Sequence, residues 1–245
     1  MVKDIKQEIY TVFNNEGKLL QVEYAIKAVK QSSISNISIK NNDTVVMVSQ
    51  KLIEDLMMDS DYQSNFSNVS NDVGIMTLGL NADKRSLISR YKQESFEFRQ
   101  EYGFTPSADI IAQRMSCVTQ QKTMQTGMRV LAVDVVIAGY DAELGPLLYK
   151  IDPAGFCAGY KALCCGVKED EGNNCLEKLS KEKDFNSLSD DELIRTAIEA
   201  LQNTLGMDFK LGDIEVAVIG KRSQRFRKLS DTEIKDHLQI LNKLE

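Results

Sequence analysis

Strand-type and helix-type periodicities arrive in blocks along this chain, with no regular βαβ alternation. Behind an opening helical pattern, "SISNISIK" (Ser33–Lys40) alternates apolar and polar residues, the period of a strand. "NND" (Asn41–Asp43) supplies turn chemistry, and "TVVMVSQ" (Thr44–Gln50) is β-branched and apolar, so the two segments read as a hairpin. "VGIMTLGL" (Val73–Leu80) is a further buried strand. Two long helical patterns follow: Asn81–Tyr102, opening on an Asn cap with Leu87, Tyr91 and Phe98 on one stripe, and Ser107–Met124, with Ser107 as N-cap and Ile111, Met115 and Val118 on one face. Strands resume at Val130–Tyr140, Leu147–Asp152 and Tyr160–Gly166. Helices are predicted over Asn174–Lys181 and Asp190–Leu205, the latter capped by Ser189, then a strand at Ile214–Gly220 and a helix from Ser230. Grouped strands and grouped helices predict an α+β fold in which two antiparallel sheets pack face to face between outer helix pairs.

Composition narrows the function. The 245 residues are 42% hydrophobic, and no Pro- or Gly/Ser-rich linker divides them, which predicts one large core. A net charge of −6, spread along the sequence, predicts no nucleic-acid partner, since phosphate neutralisation needs clustered cations. The short basic run Lys221–Lys228 is flanked by acids and reads as a solvated loop. There is no apolar leader at the N-terminus and no long apolar run, so no membrane partner is expected. Five cysteines without a CxxC pair predict free thiols in a reducing compartment. The adjacent Cys164 and Cys165 should point to opposite faces of a strand. With one histidine, His237, read as a surface residue, neither a histidine-based triad nor a metal centre is expected, and no cofactor is called for.

The opening stretch "FNNEGKLLQVEYAIKAV" (Phe13–Val29) reads as a turn and an amphipathic helix placed ahead of the first strand. Leu19, Val22, Ile26 and Val29 form its stripe, and burying all four would contribute on the order of 6–10 kcal/mol gross before ordering entropy. "TVFNNEGKLLQVEYAIKAV" (Thr11–Val29) resembles the N-terminal signature of proteasome alpha subunits, with Thr11, Phe13, Glu16, Gly17, Leu19, Gln21, Val22, Glu23, Tyr24 and Ala25 matching. "GLNADKRSLISR" (Gly79–Arg90), "YKIDPAGFCAGYKALCCGV" (Tyr149–Val167) and "SDTEIKDHL" (Ser230–Leu238) are similar to later segments of the family, in the same order. The wording of Tyr149–Ala162 and Asp208–Gly220 is most similar to the alpha-1 ring position, also called alpha type 6.

The resemblance implies the four-layer αββα sandwich of N-terminal-nucleophile hydrolases with an extra N-terminal helix. Over 1–245 it implies one domain: a gate tail at 1–12, a helix at 18–31 and the sandwich at 33–245. It further implies a non-catalytic structural and gating subunit of the 20S alpha ring, acting in ubiquitin- and ATP-dependent protein degradation in the cytoplasm and nucleus. The implied partners are other alpha subunits in a heteroheptameric ring, a beta ring beneath, and regulatory-particle ATPases or other activators. Active relatives use an N-terminal threonine whose own amine is the base, tuned by aspartate and lysine. Those positions fall here on Ser33, Gln50 and about Asn65; Ser33 is internal and the other two carry no charge, so the alternative of a processed Ser33 hydrolase is the weaker reading. Phe13, Asn15, Glu16, Gly17, Leu20, Gln21, Val22, Tyr24 and Ala25 are the implied turn and subunit-interface residues. Three departures stand out. Lys6, Gln7 and Glu8 replace the usual gate-tail residues, and "NN" replaces Ser-Pro in the turn, which predicts a more mobile tail. Asn65 also replaces a lysine that in many alpha subunits captures an activator's terminal carboxylate, which predicts a weaker pocket wall.

Overall fold

A computed structural model describes residues 12–32, 34–52, 57, 64–125 and 127–244, with the backbone alone for 242–244. Helix α1 (Leu20–Lys30) precedes strands β1 (Ser35–Lys40), β2 (Thr44–Gln50), β3 (Phe66–Asn68) and β4 (Val73–Gly79). Helices α2 (Asn81–Tyr102) and α3 (Ala108–Met124) lead to β5 (Val133–Asp141), β6 (Gly145–Ile151), β7 (Cys157–Gly159) and β8 (Ala162–Gly166). The chain finishes with α4 (Glu169–Glu182), α5 (Asp190–Leu205), β9 (Ile214–Gly220), β10 (Arg227–Lys228) and α6 (Asp231–Leu244). One sheet runs β10-β9-β2-β1-β8 and the other β3-β4-β5-β6-β7, every pairing antiparallel.

Strand alternation builds the layers. In the first sheet Ile37, Ile39, Val46, Val48, Cys164 and Val216 pack against α4, α5 and α6. Their neighbours Val45, Met47, Leu163, Cys165 and Ala217 turn the other way and meet Met76, Leu78, Val136, Ala138 and Leu148 of the second sheet. That sheet's remaining face, with Ile75, Val135, Ile137 and Ile151, is covered by Leu87 and Tyr91 of α2 and Ile111 and Met115 of α3. The result is the four-layer αββα sandwich. Because the strands are buried on both faces, "TVVMV" and "VDVVIAG" are almost continuously apolar although their sheets are antiparallel. Cys164 and Cys165 part to opposite faces, as the strand period requires.

Differences from the sequence reading concern short or capped elements. The three added strands β3, β7 and β10 lie at sheet edges and have two or three residues each, too few to show a period. Helix α4 begins at Glu169, five residues before the expected start, with Glu169, Asp170 and Glu171 in its first turn. Gly172 lies on its inner face, where an added Cβ would meet the Cys164 Sγ at 2.3 Å, so glycine lets α4 approach β8. Ser189 caps α5 through a reciprocal capping box with Glu192, but Ser107 makes no capping bond to α3. The Lys221–Lys228 run is more than a solvated loop: Lys221 pairs with Asp43, Arg222 with Asp190 and Arg227 with Glu233. His237 is half-buried, with its Nδ1 turned away from solvent.

The start of α2 is held by Asp83, not by an Asn81 cap. Its buried carboxylate accepts from Arg129 Nη1 at 2.8 Å and Nη2 at 2.5 Å, and from the Ala132 backbone N–H at 3.1 Å. Arg129 lowers the Asp83 pKa below the usual carboxylate range, with the Ala132 N–H adding to it, against the opposing effect of burial. A depressed native pKa stabilises the fold above the unfolded carboxylate value of about 3.9, and the contribution is lost as pH falls through the native value. Asp83→Ala is therefore expected to cost about 1–3 kcal/mol at neutral pH. Thermal melts at pH 7 and in the acid range should show the gap between variant and parent narrowing as pH drops.

Candidate functional site

The N-terminal turn is built by a side chain. Asn14 Oδ1 accepts from the backbone N–H of Glu16 at 3.0 Å and of Lys18 at 2.8 Å, and the Asn14 carbonyl accepts from Gly17 N–H at 3.0 Å. Gly17 takes the left-handed conformation with φ of 76°. An Asx turn thus replaces the proline-restrained one, and Asn14 rather than Asn15 makes it. Behind it, α1 lies on the end of the sandwich, with Ala25 and Val29 buried in the interlayer core and Val22 and Ala28 packed at its margin. The buried stripe is rotated from the expected one: Ala25 replaces Ile26, and Leu19, Leu20 and Ile26 are only half-buried. Small side chains let the helix sit close to β4 and β5, which leaves its larger apolar residues partly outside.

Beneath α1 opens a cleft of about 830 Å³ lined by residues including Ala28, Ser64, Asn65, Thr77, Leu80 and Lys84. Asn65 is its polar centre and is 5% exposed. Its Nδ2 donates to Ser49 Oγ at 2.8 Å and to the Gln50 carbonyl at 3.2 Å, while its Oδ1 accepts from Lys84 Nζ at 3.1 Å. Ser49, beside the expected Gln50, shares the inward face of β2 with Val45 and Met47 and reaches Asn65 with its side chain. Gln50 contributes its backbone carbonyl, and its Oε1 has no hydrogen-bond partner among the described residues. Alternation along "VVMVSQ" held this information. Lys84 was not legible at all; it reaches the cleft because α2 starts directly after β4. Burial lowers its ammonium pKa, and Glu215 opposes that shift.

A polar row continues from this point across the interlayer face of the first sheet. Glu215 is in register with Ser49, Ser49 with Asn36, and Asn36 with Cys165. Facing the far end, Lys150 lies 3.9 Å from Asp134 and contacts Glu169 at the start of α4. Burial pushes the Asp134 carboxyl up to about 6, against the pull of Lys150. Among the described residues no group of three or more His, Cys, Asp or Glu side chains is arranged to hold a metal ion. Ser33, Lys6, Gln7 and Glu8 lie outside the described residues. Phe13, Asn15, Glu16, Gly17 and Tyr24 are exposed, Leu20, Gln21 and Val22 are half-buried, and Ala25 is buried.

Residues 29–219 match the family model for proteasome subunits. The chain belongs to the proteasome subunit family. Residues 10–28, which hold the Asx turn and most of α1, match the N-terminal signature of the proteasome A subunits, which marks the chain as alpha-type. It is 36% identical to the probable proteasome subunit alpha type-1 of Schizosaccharomyces pombe, over 94% of each chain. It is 34% identical to the proteasome subunit alpha type-6 of Caenorhabditis elegans, over 95% of this chain and 94% of the relative. A proteasome subunit alpha from Picrophilus torridus is 32% identical over 93% of this chain and 94% of its own. In this alpha-type subunit, the cleft beneath α1 holds an amide–hydroxyl pair, Asn65 and Ser49, backed by Lys84.

Placing a second ammonium at position 65 should therefore be costly. Asn65→Lys is expected to lower the melting temperature, and adding Lys84→Met should restore part of the loss. The coupling between the two substitutions is expected at about 0.5–3 kcal/mol in a double-mutant cycle.

Proposed function

We propose that this chain is a non-catalytic subunit of the alpha ring of the 20S proteasome. It sits in a seven-membered ring with other alpha subunits over a beta ring, restricts substrate entry, and receives regulatory ATPases or other activators during ubiquitin- and ATP-dependent degradation in the cytoplasm and nucleus. The observation that carries this reading is the cleft: Asn65 is engaged by neutral Ser49, the Gln50 carbonyl and Lys84, and no acidic side chain among the described residues touches it. Among the described residues no base is hydrogen-bonded to the Ser49 hydroxyl, as activation of a nucleophile there would need.

The surface of α1 supports the assembly part of the proposal. Phe13 is 68% exposed and Tyr24 42%, and Leu19, Leu20 and Ile26 remain half-buried beside them. Apolar and aromatic side chains grouped around an ordered turn suit contact with a ring neighbour. In the activator pocket the neutral Asn65 still weakens the wall, but Lys84, hydrogen-bonded to it, returns a cation to the same cleft.

Native mass spectrometry of the endogenous complex is expected to place the chain in a multi-subunit particle with other alpha and beta subunits. Ser33→Ala is expected to leave peptide hydrolysis by that particle unchanged. A chain found only as a monomer would overturn the assembly. Material whose first residue is Ser33, with hydrolysis abolished by Ser33→Ala, would favour the processed hydrolase instead.

A further inference from the structure

At the far end of the polar row, one ammonium serves two carboxylates that belong to different layers. Lys150 of β6 is in register with Val136, two residues along β5 from Asp134, so both charged side chains share the interlayer face with Val136 and Leu148. Glu169 opens α4, which covers the other side of the first sheet. Lys150 Nζ makes a hydrogen bond to Glu169 but stands 3.9 Å from Asp134 Oδ2, beyond hydrogen-bond range. The side chains of Lys150 and Asp134 are 13% and 10% exposed, so water does little to screen them from each other.

The other charged or titratable groups that face Asp134 are Asp152 just past β6, Lys30 at the end of α1 and Cys165 of β8. Burial raises the Asp134 carboxyl most, Lys150 opposes that, Glu169 and Asp152 add to it, and Lys30 opposes it. Lys150 responds in the other sense: burial works against its charge, but Cys165, Asp134 and Glu169 together outweigh burial and hold its pKa above the ordinary lysine value. Burial keeps Cys165 a thiol. Of Asp134, Lys150 and Cys165, then, Asp134 is the one whose charge changes between about pH 5 and 7.

We propose that Asp134, Lys150 and Glu169 form a proton-operated latch between the second sheet and the first turn of α4. With Asp134 ionised, the ammonium is divided between two carboxylates that draw it toward different layers. When Asp134 takes up a proton its pull ends, Lys150 pairs with Glu169 alone, and α4 is tied more firmly to β6. The latch closes as pH falls. Its linkage is opposite in sign to that of Asp83. A native carboxyl raised to about 6 makes its ionised form a cost to the fold above that pH, and the cost is relieved as pH falls toward the unfolded value of about 3.9.

The test is hydrogen exchange of the full-length chain, read by mass spectrometry and compared at equal intrinsic exchange. The reporter is the start of α4, where the Gly172 N–H donates to the Lys168 carbonyl. Protection there should rise at least about threefold from pH ~7.5 to ~5.5. Asp134→Asn imitates the protonated state and should show the high protection at both pH values, whereas Glu169→Gln should show no rise. Asp152→Asn removes a like charge without touching the latch and should keep the rise. Carbon-13 NMR of the Asp134 carboxyl should show its midpoint moving down by at least about half a pH unit in Glu169→Gln, which removes a like charge and frees the ammonium. Protection at α4 that stays flat with pH in the parent, a rise that survives in Asp134→Asn or Glu169→Gln, or a midpoint that Glu169→Gln leaves in place would each overturn the proposal. Should Glu169→Gln fail to fold, parent and Asp134→Asn decide between them. Asp134→Asn should also melt higher than the parent at about pH 7.5, with the gap closing as pH falls. A gap that is constant or grows overturns the latch.

Discussion

Contact between the inner faces of the two sheets governs both the stability of this chain and the chemistry of its cleft. Val45, Met47, Leu163 and Ala217 on one side and Met76, Leu78, Val136 and Leu148 on the other are removed from water together. Side chains of this kind contribute roughly 1.5–3 kcal/mol each when fully buried, so the interlayer supplies a large share of the gross driving force. It also fixes the separation of the sheets, and hence the width of the gap at the end where α1 lies. Helix α1 fits that gap with alanines and a valine, and its larger residues are left for other contacts.

The same face carries the polar row Glu215, Ser49, Asn36 and Cys165, with Lys150 and Asp134 opposite. Asn36 is fully buried, and neither of its amide atoms is paired among the described residues. A core selected for stability alone would place apolar residues there, because an unpaired buried amide is costly. The row runs from the cleft to the start of α4 and forms a band of low apolar content across the sandwich. In physical terms it is a polar seam through an otherwise apolar interlayer.

Most of the architecture was legible because long elements carry long periods. Asn81–Tyr102, Thr44–Gln50, Asp190–Leu205 and Ile214–Gly220 were read with the bounds they have. The edge strands were not legible, since two or three residues in a ladder look like any loop. In the site, Asn65 and Gln50 were reached by matching positions along the strand pattern, and Gln50 meets Asn65 through its backbone carbonyl alone. Face alternation, anchored on Val45 and Met47, selects Ser49. Lys84, Lys228 and Glu215 come from α2, β10 and β9, and meet only through the fold. Single-sequence reading has no handle on such a meeting. Asn14 was read as a residue that tolerates a turn, whereas it builds the turn through its side chain.

Two-sided burial of β2 also limits how the site can vary over time. An insertion of one residue within Thr44–Gln50 would shift every later side chain to the opposite layer, sending Ser49 toward the helices and its neighbours into the cleft. Core and cleft would be lost together. Length changes must therefore fall in the loops, and the cleft can diversify only by exchange of one side chain for another at fixed positions. A lineage of such subunits would differ at 49, 65, 84 and 215 by substitution while the strands between them keep their lengths.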